Sequence, residues 1–197
     1  MEKLAGILTD YLVKNKMIAN EKQSIYQYGL QIGMEVCLNT IISIAIAIIS
    51  NMEFEAVLFF GIFVPLRSYA GGVHLNTYIS CLICSCVSFG AILMIVKYVR
   101  IDDYVALTIT GISLFVIKCI SPVEDFNRPI SQNELKIFNT KLNCSIGIIV
   151  VLAILFYFFE FEKMLIMIAV TTLFMVCILF VGKIKYIRYI KNNRYMG

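Results

Sequence analysis

Apolar residues along this chain fall into six blocks, at about 36–50, 54–66, 78–96, 104–120, 144–159 and 164–181. Short polar or charged stretches separate them. A helix crosses the hydrocarbon of a bilayer with ~20 residues, in a range of ~17–25. The second block is the exception. It reaches that length only by taking in Glu53, Glu55, Arg67 and Ser68, and it contains Pro65. A proline interior to a helix removes one backbone donor and crowds the preceding turn. This block is therefore expected to be a short span, a broken helix or a re-entrant segment, the last two being tolerated only under cover of protein or water.

Ahead of the first block the pattern changes. Leu4, Ile7, Leu8, Tyr11 and Leu12 recur at helical spacing, with Lys3, Asp10 and Lys14 between them. This predicts an amphipathic helix over residues 2 to about 16, packed on the protein or lying in the membrane surface. A second, mixed helix at about 20–35 leads into the first span. The longest polar stretch, 121–143, contains Pro122 and Pro129 and predicts a turn, then a short amphipathic helix near 131–141. The expected class is all-α: a polytopic membrane protein of about six apolar segments with an N-terminal amphipathic helix. The expected organisation is a single domain over 1–197: an amphipathic segment to residue 35, spans over 36–183, and a basic tail over 184–197.

Composition agrees. Hydrophobic residues make up 60% of the 197, charged residues only 15%, and the mean hydropathy is +0.85. A soluble domain holds roughly 45–50% apolar and about 25% charged residues. A soluble enzyme is excluded, and so is a disordered tail. The first twenty residues carry Glu2, Lys3, Asp10, Lys14 and Lys16, with no unbroken apolar core of a secretory signal. The chain is expected to be held in the cell membrane by its own spans.

The net charge of +4 is read as topology, and nucleic acid is not an expected partner. With six spans and the N-terminus inside, the inner segments hold Lys3, Lys14, Lys16, Lys22, then Arg67, then Lys118, Arg128, Lys136, Lys141, then Lys183, Lys185, Arg188, Lys191, Arg194. Only Lys97, Arg100 and Lys163 lie outside. Positive residues favour the cytoplasm. Both termini and the loop after Arg67 are thus expected there. Seven cysteines at irregular spacing exclude a disulfide scaffold and suit a reducing compartment.

The densest chemistry lies in Arg67-Ser-Tyr-Ala-Gly-Gly-Val-His74-Leu-Asn-Thr-Tyr-Ile-Ser-Cys81. It holds the single histidine of the chain, a glycine pair, and a cysteine seven residues past the histidine. A cysteine attacks as thiolate, and a neighbouring imidazole can take its proton. On one straight helix seven residues rise roughly 10 Å, too far for that transfer. A break is needed. Gly71-Gly72 permits one, and Asn76 or Thr77 can cap a helix that starts after it. Taken singly, the histidine, the cysteine and the glycine pair are each more simply a surface residue, a small hydrophobe and a turn. Their coincidence at a membrane-edge break raises the case for catalysis but leaves the plainer readings open.

Arg67 is either an interfacial anchor or electrostatic support for a developing oxyanion. Glu35, Glu53, Glu55, Glu124 and Asp125 are all candidate orienting carboxylates, and none has diagnostic spacing. Cys81, Cys84 and Cys86 raise a metal site, but there is no second CxxC pair, and no metal and no other cofactor is expected. Lys136, Lys141 and the tail could attract acidic peptide or anionic lipid, although topology alone accounts for them.

The run R-x3-A-G-G-x-H-x6-C over 67–81 resembles the signature of the AgrB (accessory gene regulator B) family. Tyr28-Gly29-Leu30, Ser121-Pro122 and Asn127-Arg128-Pro129 also fit, as do the length and the hydrophobic profile. The resemblance implies a membrane cysteine endopeptidase, a thiol protease of quorum sensing. Such an enzyme removes the C-terminal part of a small autoinducing-peptide precursor. It holds the remainder as an acyl-thioester until an internal cysteine or serine of the peptide closes a thiolactone or lactone. It further implies His74 as base and Cys81 as nucleophile, with Arg67, Gly71 and Gly72 supporting the oxyanion or substrate. The implied partner is a precursor with an amphipathic helix and an acidic C-terminal tail, with Lys136 and Lys141 as candidate substrate-binding residues. Membrane lipid and a second copy of the chain are further candidate partners. The alternative is a non-catalytic transporter subunit or scaffold; scarce charge within the spans disfavours an ion pathway.

Overall fold

The computed structural model describes residues 2–15, 17–18, 23–71, 78–121 and 132–194. Among these, all regular structure is helical: α1 (Glu2–Lys14), α2 (Gln23–Ser50), α3 (Glu53–Ala70), α4 (Tyr78–Tyr98), α5 (Asp103–Ile120), α6 (Gln132–Phe158) and α7 (Glu162–Arg194). Five of them, α2 and α4 to α7, are long and apolar enough to cross a membrane. The chain is a multi-pass, all-α membrane protein. Two boundaries differ from the sequence expectation. The mixed helix before the first span is continuous with it in α2, and the amphipathic helix before the fifth span is continuous with it in α6. No proline stands at either junction, and Gly33, just before the first, stays in helical backbone, so the ladder runs through both.

α3 is the second apolar block, and it is one unbroken helix of 18 residues despite Pro65. Its cost is offset by burial. Ala56, Phe59, Ile62, Leu66 and Ala70 recur every three or four residues and form one buried stripe. Ser68 Oγ donates to the Val64 carbonyl at 2.8 Å, binding polar backbone near the proline. With Glu53, Glu55 and Arg67 in its length, α3 is not among the five, and it packs chiefly on α7 and α6.

α7 is the central helix: 56% of its apolar stretch is buried, against 11–28% in the other four spans. It joins two apolar clusters. One gathers α3, α5, α6 and α7 around Leu66, Ile117, Leu142 and Leu165. The other gathers α2, α3, α4 and α7 around Ala47, Phe59, Phe89 and Met167. Small and hydroxylated residues let these helices approach. Thr110 and Thr172 are buried, and each donates to a carbonyl four residues back, Ala106 and Ile168, at 2.9 Å. Large apolar side chains such as Ile49, Phe54, Phe115 and Phe158 point outward, where lipid covers them.

α1 packs on α2 through small residues. Ala5 and Thr9 are fully buried, and Gln23 Nε2 donates to Asp10 Oδ1 at 2.8 Å. Leu4, Ile7, Leu8 and Tyr11 face out. Of the two expected settings, packing on the protein is present, and the opposite face of the helix is apolar and exposed.

Candidate functional site

Arg67 lies in the last turn of α3, half-buried, and Gly71 closes that helix. The Gly71 backbone sits at φ 87°, ψ −167°. Only glycine enters that region without strain of ~1–3 kcal/mol. The break expected between Arg67 and Cys81 thus begins at Gly71. Gly72 and His74 lie outside the described residues, as do Glu124, Asp125 and Asn127–Pro129.

Cys81 lies near the start of α4 and is half-buried, whereas Cys84 is exposed. On the helix wheel Cys81 lines up with Ser88 and Ile92, and Ile92 is buried in the second cluster. Cys84 sits about 60° round the helix from Cys81, turned outward and exposed. Cys86 is also half-buried, and its thiol donates to Asn39 Oδ1 of α2 at 3.8 Å.

Aromatic contacts fix the relative depth of α3 and α4. Phe59 and Phe60 each meet Phe89 at 5.1 Å between ring centroids. From that crossing toward the 71–77 connection, Cys81 lies eight residues along α4. Arg67 lies seven and eight residues along α3 from Phe60 and Phe59 in the same direction. At 1.5 Å per residue each is about 12 Å from the crossing, so the two share one depth. Arg67 also follows Phe60 and Phe63 by seven and four residues, so it continues the face of α3 that meets α4.

Basic and aromatic side chains of α6 approach the same end. Lys141 Nζ stands 5.5 Å from the centroid of the Tyr69 ring, and Tyr69 packs on Phe138 at 6.5 Å. Lys118 Nζ of α5 donates to Asn143 Oδ1 of α6. Lys141 thus stands beside Tyr69, two residues along the chain from Arg67. Lys136 is exposed, more than a turn earlier on α6, and no described contact ties it to Arg67 or Cys81. Two contributors were missed in the sequence. Tyr69 lies inside the signature run but was not singled out. Asn39 was marked only by being polar within an apolar stretch.

The arrangement offers a half-buried thiol and a guanidinium at one depth, next to a glycine break, at the membrane end where α3 and α4 connect. The sequence model of the accessory gene regulator B family matches residues 5–181. A protein of Clostridium perfringens (strain SM101 / Type A), named as AgrB-like, is 23% identical over 143 residues, spanning 69% of this chain and 67% of its own length. No solved structure matches the chain.

Proposed function

The chain belongs to the accessory gene regulator B family, whose work is autoinducer-peptide processing, and from that premise we propose that it is a membrane cysteine endopeptidase acting on a small precursor peptide. The observation that carries the proposal is Cys81, half-buried at the depth of Arg67 and close behind the Gly71 break. Cys84, exposed and one turn further from the Gly71 break, is a poorer alternative nucleophile.

In this reading His74 takes the Cys81 proton, and the thiolate attacks the scissile carbonyl of the precursor. Arg67 stabilises the oxyanion that forms, while Gly71 and Gly72 let backbone come close to the substrate. His74 returns its proton to the leaving amine. The C-terminal fragment departs and the N-terminal part remains as a thioester on Cys81. An internal thiol or hydroxyl of the peptide then attacks that thioester, His74 accepts its proton, and the Cys81 thiolate is expelled and reprotonated. The product is a cyclic thiolactone or lactone. Exchange of one thioester for another is close to thermoneutral, and limited water at membrane depth disfavours hydrolysis of the intermediate.

The precursor is proposed to bring an amphipathic helix to the membrane and an acidic tail to Lys141, with Lys136 as an outer contact. The excess of lysine and arginine on one side supports a cytoplasmic site with both termini inside. A ribosomally made precursor and a reducing environment for the thiol are both found there.

The test is co-expression with the short reading frame next to its gene. Cys81→Ser and His74→Ala should each abolish precursor cleavage, and Cys84→Ser should retain it. Full cleavage by Cys81→Ser with loss in Cys84→Ser would move the nucleophile. Binding of the precursor without cleavage by any form would favour a scaffold or transporter subunit.

A further inference from the structure

We infer that Glu35 of α2 is a positioning residue of this site, holding the Arg67 guanidinium at the depth of Cys81. The inference rests on the cysteine-peptidase reading and adds one residue to it.

The register of α2 against α4 carries the argument. The Cys86 thiol donates to Asn39 Oδ1 at 3.8 Å, and Lys97 Nζ donates to the Ser50 carbonyl at 3.0 Å. Both pairs are 47 residues apart in sequence, so the two helices run side by side in the same direction with one constant offset. That offset sets Glu35 level with Leu82, one residue past Cys81. The aromatic crossing of α3 and α4 sets Arg67 at the same level. Three helices thus bring a carboxylate, a guanidinium and the candidate nucleophile to one depth.

Direction agrees with depth. Glu35 belongs to a stripe of α2 that steps by four through Gln31, Glu35, Asn39, Ser43 and Ala47. Asn39 meets α4, and Ser43 and Ala47 are buried. Glu35 lies on this inward stripe and is half-buried. Gln31 Nε2 donates to Glu35 Oε1 at 3.0 Å, which fixes the carboxylate on that side of the helix. On α3, Arg67 continues the flank of Ala56 and Phe63, the flank that packs toward α2 and α4.

Charge supplies the reason. An ionised group within a span is costly unless an opposite charge accompanies it. An anion at the depth of Arg67 meets that cost, and Glu35 is the carboxylate that the two registers set there. Asp10 is engaged by Gln23 between α1 and α2, and Glu53, Glu55, Asp102, Asp103, Glu160 and Glu162 gather at the opposite end of the bundle, while Glu134 stands at the start of α6, seven residues before Lys141, the residue that stands beside Tyr69. Glu53 and Glu55 are 14 and 12 residues from Arg67 on the same helix, roughly 20 Å away.

The test uses the full-length protein in bilayer discs with the small precursor encoded beside its gene. It compares unaltered protein with Glu35→Gln, Glu35→Asp, Arg67→Gln and the Glu35→Gln/Arg67→Gln double variant. The single-turnover rate of Cys81 acylation and the KM are measured, with the melting temperature as a folding control. Glu35→Gln should slow acylation about 10- to 100-fold, the effect of a misplaced reacting group, with KM little changed. Glu35→Asp should recover most of the rate, and Glu35→Gln should add no further loss once Arg67 is already Gln. An unchanged rate in Glu35→Gln overturns the inference, as does a loss that simply multiplies with that of Arg67→Gln or that Asp fails to relieve. No acylation by the unaltered protein overturns the peptidase reading itself, and the assignment of Glu35 with it.

Discussion

The two ends of the helix bundle are built differently. At one end α2 joins α3, α4 joins α5 and α6 joins α7 through connections of two to four residues. Two of these use the same device. Asn51 and Glu160 adopt left-handed backbone at φ 52° and 57°. The residue after each donates back five positions, Met52 to Ala47 at 3.0 Å and Phe161 to Phe156 at 2.9 Å. This is the Schellman closure, which satisfies the last carbonyls of a helix. Arg100, within the third connection, pairs with Glu162 at the start of α7 at 3.1 Å. At the other end α3 joins α4 over seven residues and α5 joins α6 over eleven. That end carries Arg67, the Gly71 break, Cys81, Tyr69 and Lys141. Short closed turns tie the spans together at one end, and the longer connections fall at the end that carries the candidate site.

If that division is right, substitutions at the open end should change chemistry and those at the closed end should change stability at most. The largest effect is expected at the nucleophile. Cys81→Ala should lower precursor cleavage by at least about 10³-fold in a gel-based assay, whereas Cys84→Ser stays within about twofold of the unaltered protein. Arg67→Gln should follow, with a loss of about 10²–10³-fold in kcat, the range for removing one oxyanion donor. Gly71→Ala places a Cβ on backbone that only glycine adopts freely. It should cost about 1–3 kcal/mol of strain, seen as a lower melting temperature together with slower cleavage. Lys141→Ala removes the cation above Tyr69, an interaction of about 0.5–1 kcal/mol, and should raise the KM for an acidic-tailed precursor about two- to fivefold. At the closed end Arg100→Ala breaks an exposed ion pair. It should shift stability by less than about 1 kcal/mol and leave cleavage unchanged. A large loss of cleavage in Arg100→Ala would erase the distinction between the ends.

The same contrast marks what the sequence made legible. Spans could be read from apolar blocks because lipid imposes one length on them. The N-terminal helix could be read from Leu4, Ile7, Leu8 and Tyr11, though not which face would meet α2. That contact is made by Ala5 and Thr9, whose small size carries little periodic signal. Of the alternatives open for the second block, the short continuous helix is the one formed, because the stripe from Ala56 to Ala70 gives α3 enough buried contact to carry Pro65. The real break comes later, at Gly71, and the glycine pair did mark it. Arg67 and Cys81 stood out as chemistry, yet nothing in their spacing could set them at one depth. That relation arises from Phe59 and Phe60 meeting Phe89 on another helix. Glu35 stood equal with four other carboxylates until the constant offset between α2 and α4 gave it a level. Pairing across helices is not written in local periodicity, and there sequence reasoning stopped.

The central claim is a covalent one, and the mass of the intact protein tests it most directly. The protein is purified after co-expression with its neighbouring small precursor, alongside Cys81→Ala. A mass increase equal to the precursor lacking its C-terminal part, removed by hydroxylamine and absent from Cys81→Ala, is the predicted result. An adduct of the same mass on the Cys81→Ala variant would contradict the claim, as would complete cleavage of the precursor by that variant.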